Sequence, residues 1–423
     1  MTNIATQQQQ AEHGDAGAPQ PQGLAATART KRSAFKVFGL LGGFKVATLL
    51  LLWLLWLTFI GTWYQKDFGL IAAQRRFFDS FFFFAKVGPF GCYYPGGATT
   101  MILLAINLIV GGLIRIRKST ATIGILIAHV GILFLLASGA VKFLTSKAGQ
   151  LMLWPDETSS QFTAWYDWEI VVAEQLSEGS WNQHTILDAD FTGMSASDSR
   201  TFKTSVLPFD IKIFGFTQHG EPRQVGHGAN GRASTASNVD GFRLVALKPN
   251  KDAEHDIAGC YVLLSAKDGS HNEIAILWGR SEHPYLFEFA GKRYGVQLRR
   301  SRFELPFSLR LEEFRMAWHP GTRKPKSFES DVIVADDGGP REARISMNRP
   351  LRAGGYIVYQ SNWGPQHIPN PEKFYSIFEI SDNPADKWPE WACYVIAFGL
   401  LVHFSMKLNN WVRAETVRVR RAS

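Results

Sequence analysis

The chain has 423 residues, 45 Lys and Arg against 37 Asp and Glu, a formal net charge of +8, and averages of 46% hydrophobic and 19% charged residues. Those averages sit close to those of an ordinary soluble chain, so the sharp segregation of apolar residues along the sequence carries the information. Only three cysteines are present and none forms a Cys-x-x-Cys pair, which argues against a thiol oxidoreductase, a zinc module or a c-type cytochrome with its own attachment site.

In chain order, residues 1–35 contain Gln7, Gln8, Gln9 and Gln10 among scattered Ala, Gly and Pro, and read as a disordered cytoplasmic tail. Apolar runs over residues 37–60, 98–114, 122–141 and 391–406 predict transmembrane helices at 36–61, 98–115, 121–142 and 390–406. The first run follows a long tail and is not followed by a small-residue cleavage site, so it reads as a span and not a signal peptide. Between the first two spans, residues 62–97 form a predicted extracytoplasmic loop. Its segment from Arg75 to Phe84 is too charged at its start to cross a bilayer, and it reads as an interfacial aromatic anchor, with core packing as the alternative.

Lys and Arg cluster before the first span (Arg29, Lys31, Arg32, Lys36), in the short loop 116–120 and its flanks (Arg115, Arg117, Lys118), and in the basic tail 407–423 (Lys407, Arg413, Arg418, Arg420, Arg421). With four spans all three clusters fall on one side, which the positive-inside rule makes the cytoplasm of a bacterial inner membrane. Both termini are then cytoplasmic and residues 143–389 are extracytoplasmic. The positive charge is explained by topology and anionic lipid, with no call for nucleic acid.

The large domain shows alternating segments at Asp210–Phe216, Phe307–Leu311 and Gly355–Tyr359, with turn signals at Ala290-Gly291 and at Asp336-Asp337-Gly338-Gly339. A mostly β, sandwich-like domain is expected between the third and fourth helices. The Gly, Ser, His and Asn-rich stretch from Gly220 to Asn238 reads as a mobile loop. Cys92 and Cys260 both fall outside the membrane; a disulfide and two free thiols are both open.

No nucleophile elbow, phosphate loop or HExxH motif is present. Two histidines lie in apolar runs, where a titratable group points to function. His129 sits deep in the third span, where a neutral imidazole suits haem iron or, alternatively, hydrogen-bonds between helices as packing glue. Gly124, Ala128 and Gly131 form a small-residue strip beside it, fit for close approach of another helix or of a flat cofactor. Asn107, at matching depth in the second span, is a candidate to orient the imidazole. His403 lies about 7 Å shallower than His129, a poor partner on one iron, and reads as interfacial packing.

Several passages together resemble the ResB proteins, also called CcsB, of the system II cytochrome c biogenesis pathway. They are Gly61-Thr62-Trp63-Tyr64-Gln65, Pro95-Gly96-Gly97, Ala128-His129-Val130-Gly131, and Asn348-Arg349-Pro350-Leu351 leading to Gly355-Tyr356-Ile357-Val358-Tyr359-Gln360-Ser361. The resemblance implies a membrane subunit that helps move haem b across the membrane and present it for thioether attachment to apocytochrome c. It implies a CcsA (ResC) partner, a separate thiol reductant of the ResA or CcsX type, and membership of a haem lyase complex without catalysis by this chain alone. It places the axial ligand at His129, with the second ligand on the partner and no structural metal. Trp165-Tyr166-Asp167-Trp168 does not match the partner's Trp-rich haem segment and starts a strand. A scaffold role without haem ligation, and a receptor or transporter unrelated to haem, are the competing readings.

Overall fold

The computed structural model describes residues 39, 41–87, 90–177, 179–225, 238–269, 271–322, 324–366 and 372–422. The tail expected over residues 1–35, its basic cluster, and residues 226–237 of the expected mobile loop lie outside the described residues.

In hydrocarbon every backbone group must find a partner within the protein, so apolar runs of this length wind into helices. Four described helices are long and apolar enough to cross a bilayer. They are α1 (Phe44–Phe68), α2 (Gly97–Asn107, continued by π-helical turns over Leu108–Ile114), α3 (Ile123–Thr145) and α4 (Trp388–Ala422). The helix α1 carries the Gly-Thr-Trp-Tyr-Gln motif inside it and ends at Gly69, whose φ of +85° favours glycine. The helix α4 runs on through the basic residues Arg413 and Arg418. Arg115, just past α2, donates to the Gly39 carbonyl before α1. Gly124 near the start of α3 abuts His403 far along α4. The basic ends of the bundle therefore gather at one end, and the β domain grows from the other.

Between α1 and α2 the chain forms a helical turn at Leu70–Ala73, π-helical turns at Gln74–Phe78, and a hairpin of β1 (Phe82–Val87) and β2 (Phe90–Pro95). Core packing, the alternative expected for the aromatic segment, holds for part of it. Phe77 and Phe83 are buried with Leu57 of α1, whereas Phe81, Phe82 and Phe84 are exposed.

The large domain is mostly β, as expected. In its first half come β3 (Lys147–Leu153), β4 (Thr158–Ser177), β5 (Ser180–Ile186), β6 (Ser199–Phe202), β7 (Phe209–Thr217), β8 (Gly220–Gln224) and β9 (Phe242–Ala246). In its second come β10 (Gly259–Ala266), β11 (Asn272–Trp278), β12 (Tyr285–Phe289), β13 (Lys292–Trp318), β14 (Pro325–Asp336), β15 (Gly339–Ser346), β16 (Leu351–Ala353), β17 (Tyr356–Gly364) and β18 (Tyr375–Asp382). A ten-stranded sheet has the order β15-β14-β13-β4-β3-β18-β17-β16, with β12 on β13 and β5 on β4. A four-stranded sheet β11-β10-β7-β6 packs against one half of it in sandwich fashion, around Phe209, Cys260, Tyr294 and Val296. The other half curls round a second core of Phe162, Leu309, Val334, Val358 and Phe378. The two longest strands, β4 and β13, contribute to both cores and weld them.

Turn chemistry holds where the sequence signals it. Ala290 and Gly291 take φ of 50° and 75° in the two-residue link of β12 to β13, and Asp336 pairs with Gly339 across the β14–β15 turn. Gly354 and Gly355, both at positive φ, make a further two-residue hairpin turn, so Gly355 precedes its strand. Gly220–Gln224, expected as loop, is the strand β8 paired with β9. Cys92 and Cys260 do not meet. Cys260 is wholly buried and burial pushes its thiol up to about 12, while Cys92 is exposed.

The Tyr-Gln-Ser passage has a structural explanation. Gln360 of β17 is buried, accepts from the Ser330 hydroxyl of β14 at 2.7 Å and donates to the Ser376 hydroxyl of β18 at 2.7 Å. A buried polar group costs stability when its partner is removed. Gln360→Leu is expected to destabilise the full chain by about 1–3 kcal/mol, read from thermal unfolding in detergent. An unchanged midpoint would contradict the role assigned to this amide.

Candidate functional site

The small residues of α3 set the geometry of the site. Gly124, Ala128, Gly131 and Ser138 are its buried positions and repeat at spacings that keep one face turned to one neighbour. That neighbour is α4. A Cβ on Gly124 would lie 2.5 Å from the His403 backbone nitrogen, and one on Gly399 would lie 2.5 Å from the Ala128 nitrogen. Such spacing brings the two backbones together, the usual use of small residues between helices in lipid. Of the two occupants open to the strip from sequence, a helix fills it. Nearer the β domain, the Phe134 and Trp388 rings stack at 5.3 Å and Ser138 donates to the Ala385 carbonyl at 3.5 Å.

His129 follows Ala128 and therefore points about 100° away from that face, given 3.6 residues per turn. It meets α2. Its Nδ1 lies 3.1 Å from the Gly112 carbonyl oxygen, within the π-helical turns. The oxygen can only accept, so Nδ1 carries a proton, and in the neutral imidazole Nε2 keeps its lone pair. Gly112 belongs to the last turn of its helix, where carbonyls lack donors further along the chain. The histidine satisfies one of them. Glycine is needed at this point because a Cβ there would stand 2.7 Å from Nδ1. The imidazole is half-buried, and its neighbour Val130 is exposed on the bundle surface.

Asn107 takes a different part from the one its depth suggested. Its amide donates to the carbonyls of Leu41 and of Gly43, the latter at 3.1 Å, and so ties α2 to the beginning of α1. The structure does not join Asn107 to His129; the orienting contact comes from Gly112. A depth estimate fixes a position along a helix and leaves its direction around the axis undetermined. His403 packs by its backbone on Gly124, on the face of α3 that His129 does not share, and its Nδ1 is buried without a hydrogen-bond partner among the described residues. The signal for Gly112 lay in the sequence as the pair Gly111-Gly112 inside an apolar run, a place where backbone is open to a neighbouring side chain.

A single neutral nitrogen with its second nitrogen held by a carbonyl is the donor arrangement that haem iron accepts from histidine. The donor chemistry of His129 would therefore fit one axial position of a haem through Nε2.

Sequence reading also missed the joint between the membrane part and the β domain. A Cβ on Gly69 would lie 1.8 Å from the Lys251 carbonyl oxygen, so glycine allows the turn after α1 to touch the loop before β10. That loop is held by Asp256, which is buried and accepts from His219 Nδ1 at 2.6 Å and from the Asn250 nitrogen at 2.7 Å. Arg300 donates to the carbonyls of Glu254 and Asp256 at 3.2 and 2.8 Å and lies 4.0 Å from the Trp168 ring. Burial lowers its pKa to about 10 in spite of Asp256 and Asp167 nearby. Trp165-Tyr166-Asp167-Trp168 thus lies within β4 and serves this joint through Trp168.

Comparison with known proteins agrees with the motif reading. Residues 269–370, which include the Asn348–Leu351 and Gly355–Ser361 passages, match the model of the ResB-like family. The chain is 24% identical over 331 residues to Protein NrfI of Wolinella succinogenes, which covers 77% of this chain and 31% of that protein. It is 32% identical over 81 residues to cytochrome c biogenesis protein CcsB of Synechococcus sp. strain RCC307, covering 19% of this chain and 18% of that one. The corresponding protein of strain CC9311 is 34% identical over 91 residues, 21% of each chain. The matched part spans less than a third of each of these relatives. The resemblance to ResB and CcsB is borne out.

The helix contact generates a clear contrast between two glycines. Gly399→Leu forces α4 away from α3 and is expected to cost about 1–3 kcal/mol by overpacking. Gly139→Leu, where a Cβ meets nothing within 4 Å, should change thermal stability by less than about 0.5 kcal/mol. Equal effects of the two substitutions would show that the seam does not hold the helices.

Proposed function

We propose that this chain is a membrane subunit of a system II cytochrome c biogenesis complex, and that His129 lends one axial nitrogen to haem as it passes the membrane. The observation that carries the reading is the hydrogen bond from His129 Nδ1 to the Gly112 carbonyl, which leaves Nε2 as the ligating atom. The motifs and the names of the relatives, cytochrome c biogenesis protein among them, support the pathway.

In this reading haem is cargo. Gly112 fixes the tautomer and the direction of the ring, and the α3–α4 seam keeps that ring turned toward α2. Only one nitrogen ligand is supplied, so the second comes from a CcsA (ResC) partner packed on the exposed helix surfaces. No more than 22% of the apolar stretch of any span is buried within the chain, which leaves room for partner helices. The β domain stands over the opposite end of the bundle from the basic clusters, outside the cytoplasm of a bacterial inner membrane. There it works with the partner on apocytochrome c, whose thiols a separate reductant keeps reduced. The haem is the b type before attachment, and thioether formation belongs to the complex. His403 serves α3–α4 packing.

The test is the absorbance spectrum of the complex purified with its CcsA-like partner. His129→Gly should lower bound haem several-fold, and added imidazole should restore it by occupying the vacated position. Unchanged haem content and spectrum in this variant would exclude ligation by His129 and leave the chain as a scaffold.

A further inference from the structure

The hairpin β1–β2 presents two different faces. Phe83 faces α1 and is 6% exposed, with Phe77 beside it, whereas Phe82, Phe84 and Tyr93 on the other side are 61%, 42% and 75% exposed. Large aromatics gathered on one face of a two-stranded sheet are costly in water, and a contiguous patch of this kind marks an interaction surface.

Its level along the bundle identifies what covers it. Asn107 is bonded to the carbonyls of Leu41 and Gly43, which sets the register of α2 against the beginning of α1. At the hairpin's base the Trp53 indole donates to the Pro95 carbonyl at 3.0 Å. Trp53 lies about 14 Å above Phe44, the first residue of α1, at 1.5 Å per residue, and α1 continues about 22 Å beyond it to Phe68. The base of the hairpin thus rests against the middle of a spanning helix. The second span is short for the same reason. Gly97–Ile114 has 18 residues and rises at most about 27 Å, less than a hydrocarbon core of about 30 Å.

A strand pair at that depth needs partners for edge carbonyls that water would otherwise satisfy. The structure provides them for two carbonyls on the side nearest the helices. The Phe84 carbonyl accepts from the Arg76 guanidinium at 3.0 Å, and the Phe81 carbonyl accepts from the Thr99 hydroxyl at 2.7 Å and the Gly96 nitrogen at 2.8 Å. Arg76 is itself laid over the Tyr64 and Phe77 rings, at 5.3 and 5.7 Å from their centres.

We infer that the β1–β2 hairpin is lodged in the outer leaflet of the bilayer, its Phe82, Phe84 and Tyr93 face against acyl chains just below the headgroups, where it makes up the length that α2 lacks. The inference rests on the helices crossing the membrane and is independent of haem.

The full chain, with Cys92→Ser and Cys393→Ser, carries Tyr93→Cys or Asp337→Cys labelled with a polarity-sensitive fluorophore. Tyr93 is exposed, so its loss removes little packing, and Asp337 is an exposed turn residue of the β domain. In phosphatidylethanolamine and phosphatidylglycerol vesicles, the label at Tyr93→Cys should be quenched by lipid bearing a nitroxide near the glycerol end of its chain. Iodide in the water should quench it several-fold less than the label at Asp337→Cys. Equal iodide quenching at the two sites would overturn the proposal, and so would protection at Tyr93→Cys from both quenchers, which would indicate a covering protein surface. Phe82→Cys gives the same readout should Tyr93→Cys fail to fold.

Discussion

The contact of α3 with α4, backbone against backbone along Gly124, Ala128 and Gly131, is the constraint on which the rest of the molecule depends. It joins the helix that leads into the β domain to the helix that leads out of it, so the two ends of a long domain are held together at the membrane. In lipid there is no hydrophobic drive to bring helices together, and close packing through small residues takes its place. By committing one face of α3 to α4, the seam turns His129 toward α2 and leaves it a single backbone partner. Packing, and no property of the imidazole itself, selects which nitrogen meets the Gly112 carbonyl.

The same economy appears at the outer end of the bundle. Gly69 allows the turn after α1 to touch Lys251, and the loop beyond is fixed by Asp256, His219 and Arg300. A movement of the β domain would therefore be felt at α1 through this joint and at α3 and α4 through the chain. The aromatic hairpin braces α1 from its other side, through Phe77, Phe83 and Trp53. The hydrophobic contacts between the bundle and its first loop are thus arranged around α1, and the polar ones around the loop before β10.

Much of this was legible in the sequence, and the boundary of what was legible has a physical basis. Apolar runs reveal spans because every spanning residue faces lipid or protein, and Ala290-Gly291 and Asp337-Gly338 reveal hairpins because few residues tolerate such turns. The strip beside His129 was visible as small residues, but its occupant was not, since composition does not say which helix comes close. Asn107 illustrates the limit well. Counting residues gave a depth that matched that of His129, while its direction around α2 follows from packing on Leu41 and Gly43 and from the π-helical turns that begin at Leu108. The bridging of two cores by β4 and β13 depends on strand register, which alternation alone does not encode. The first span, expected to end at residue 61, continues as α1 to Phe68 and takes in the Gly-Thr-Trp-Tyr-Gln passage.

The central claim is that the Gly112 carbonyl fixes His129 with a proton on Nδ1 and a free Nε2. The direct measurement is the nitrogen-15 solid-state NMR spectrum of the histidine-labelled full chain in bilayers, with the His129 signals assigned by their loss in His129→Gln. The account predicts a protonated Nδ1 and an unprotonated Nε2 whose resonance shifts when haem is added. A proton found on Nε2, with Nδ1 bare, would contradict it.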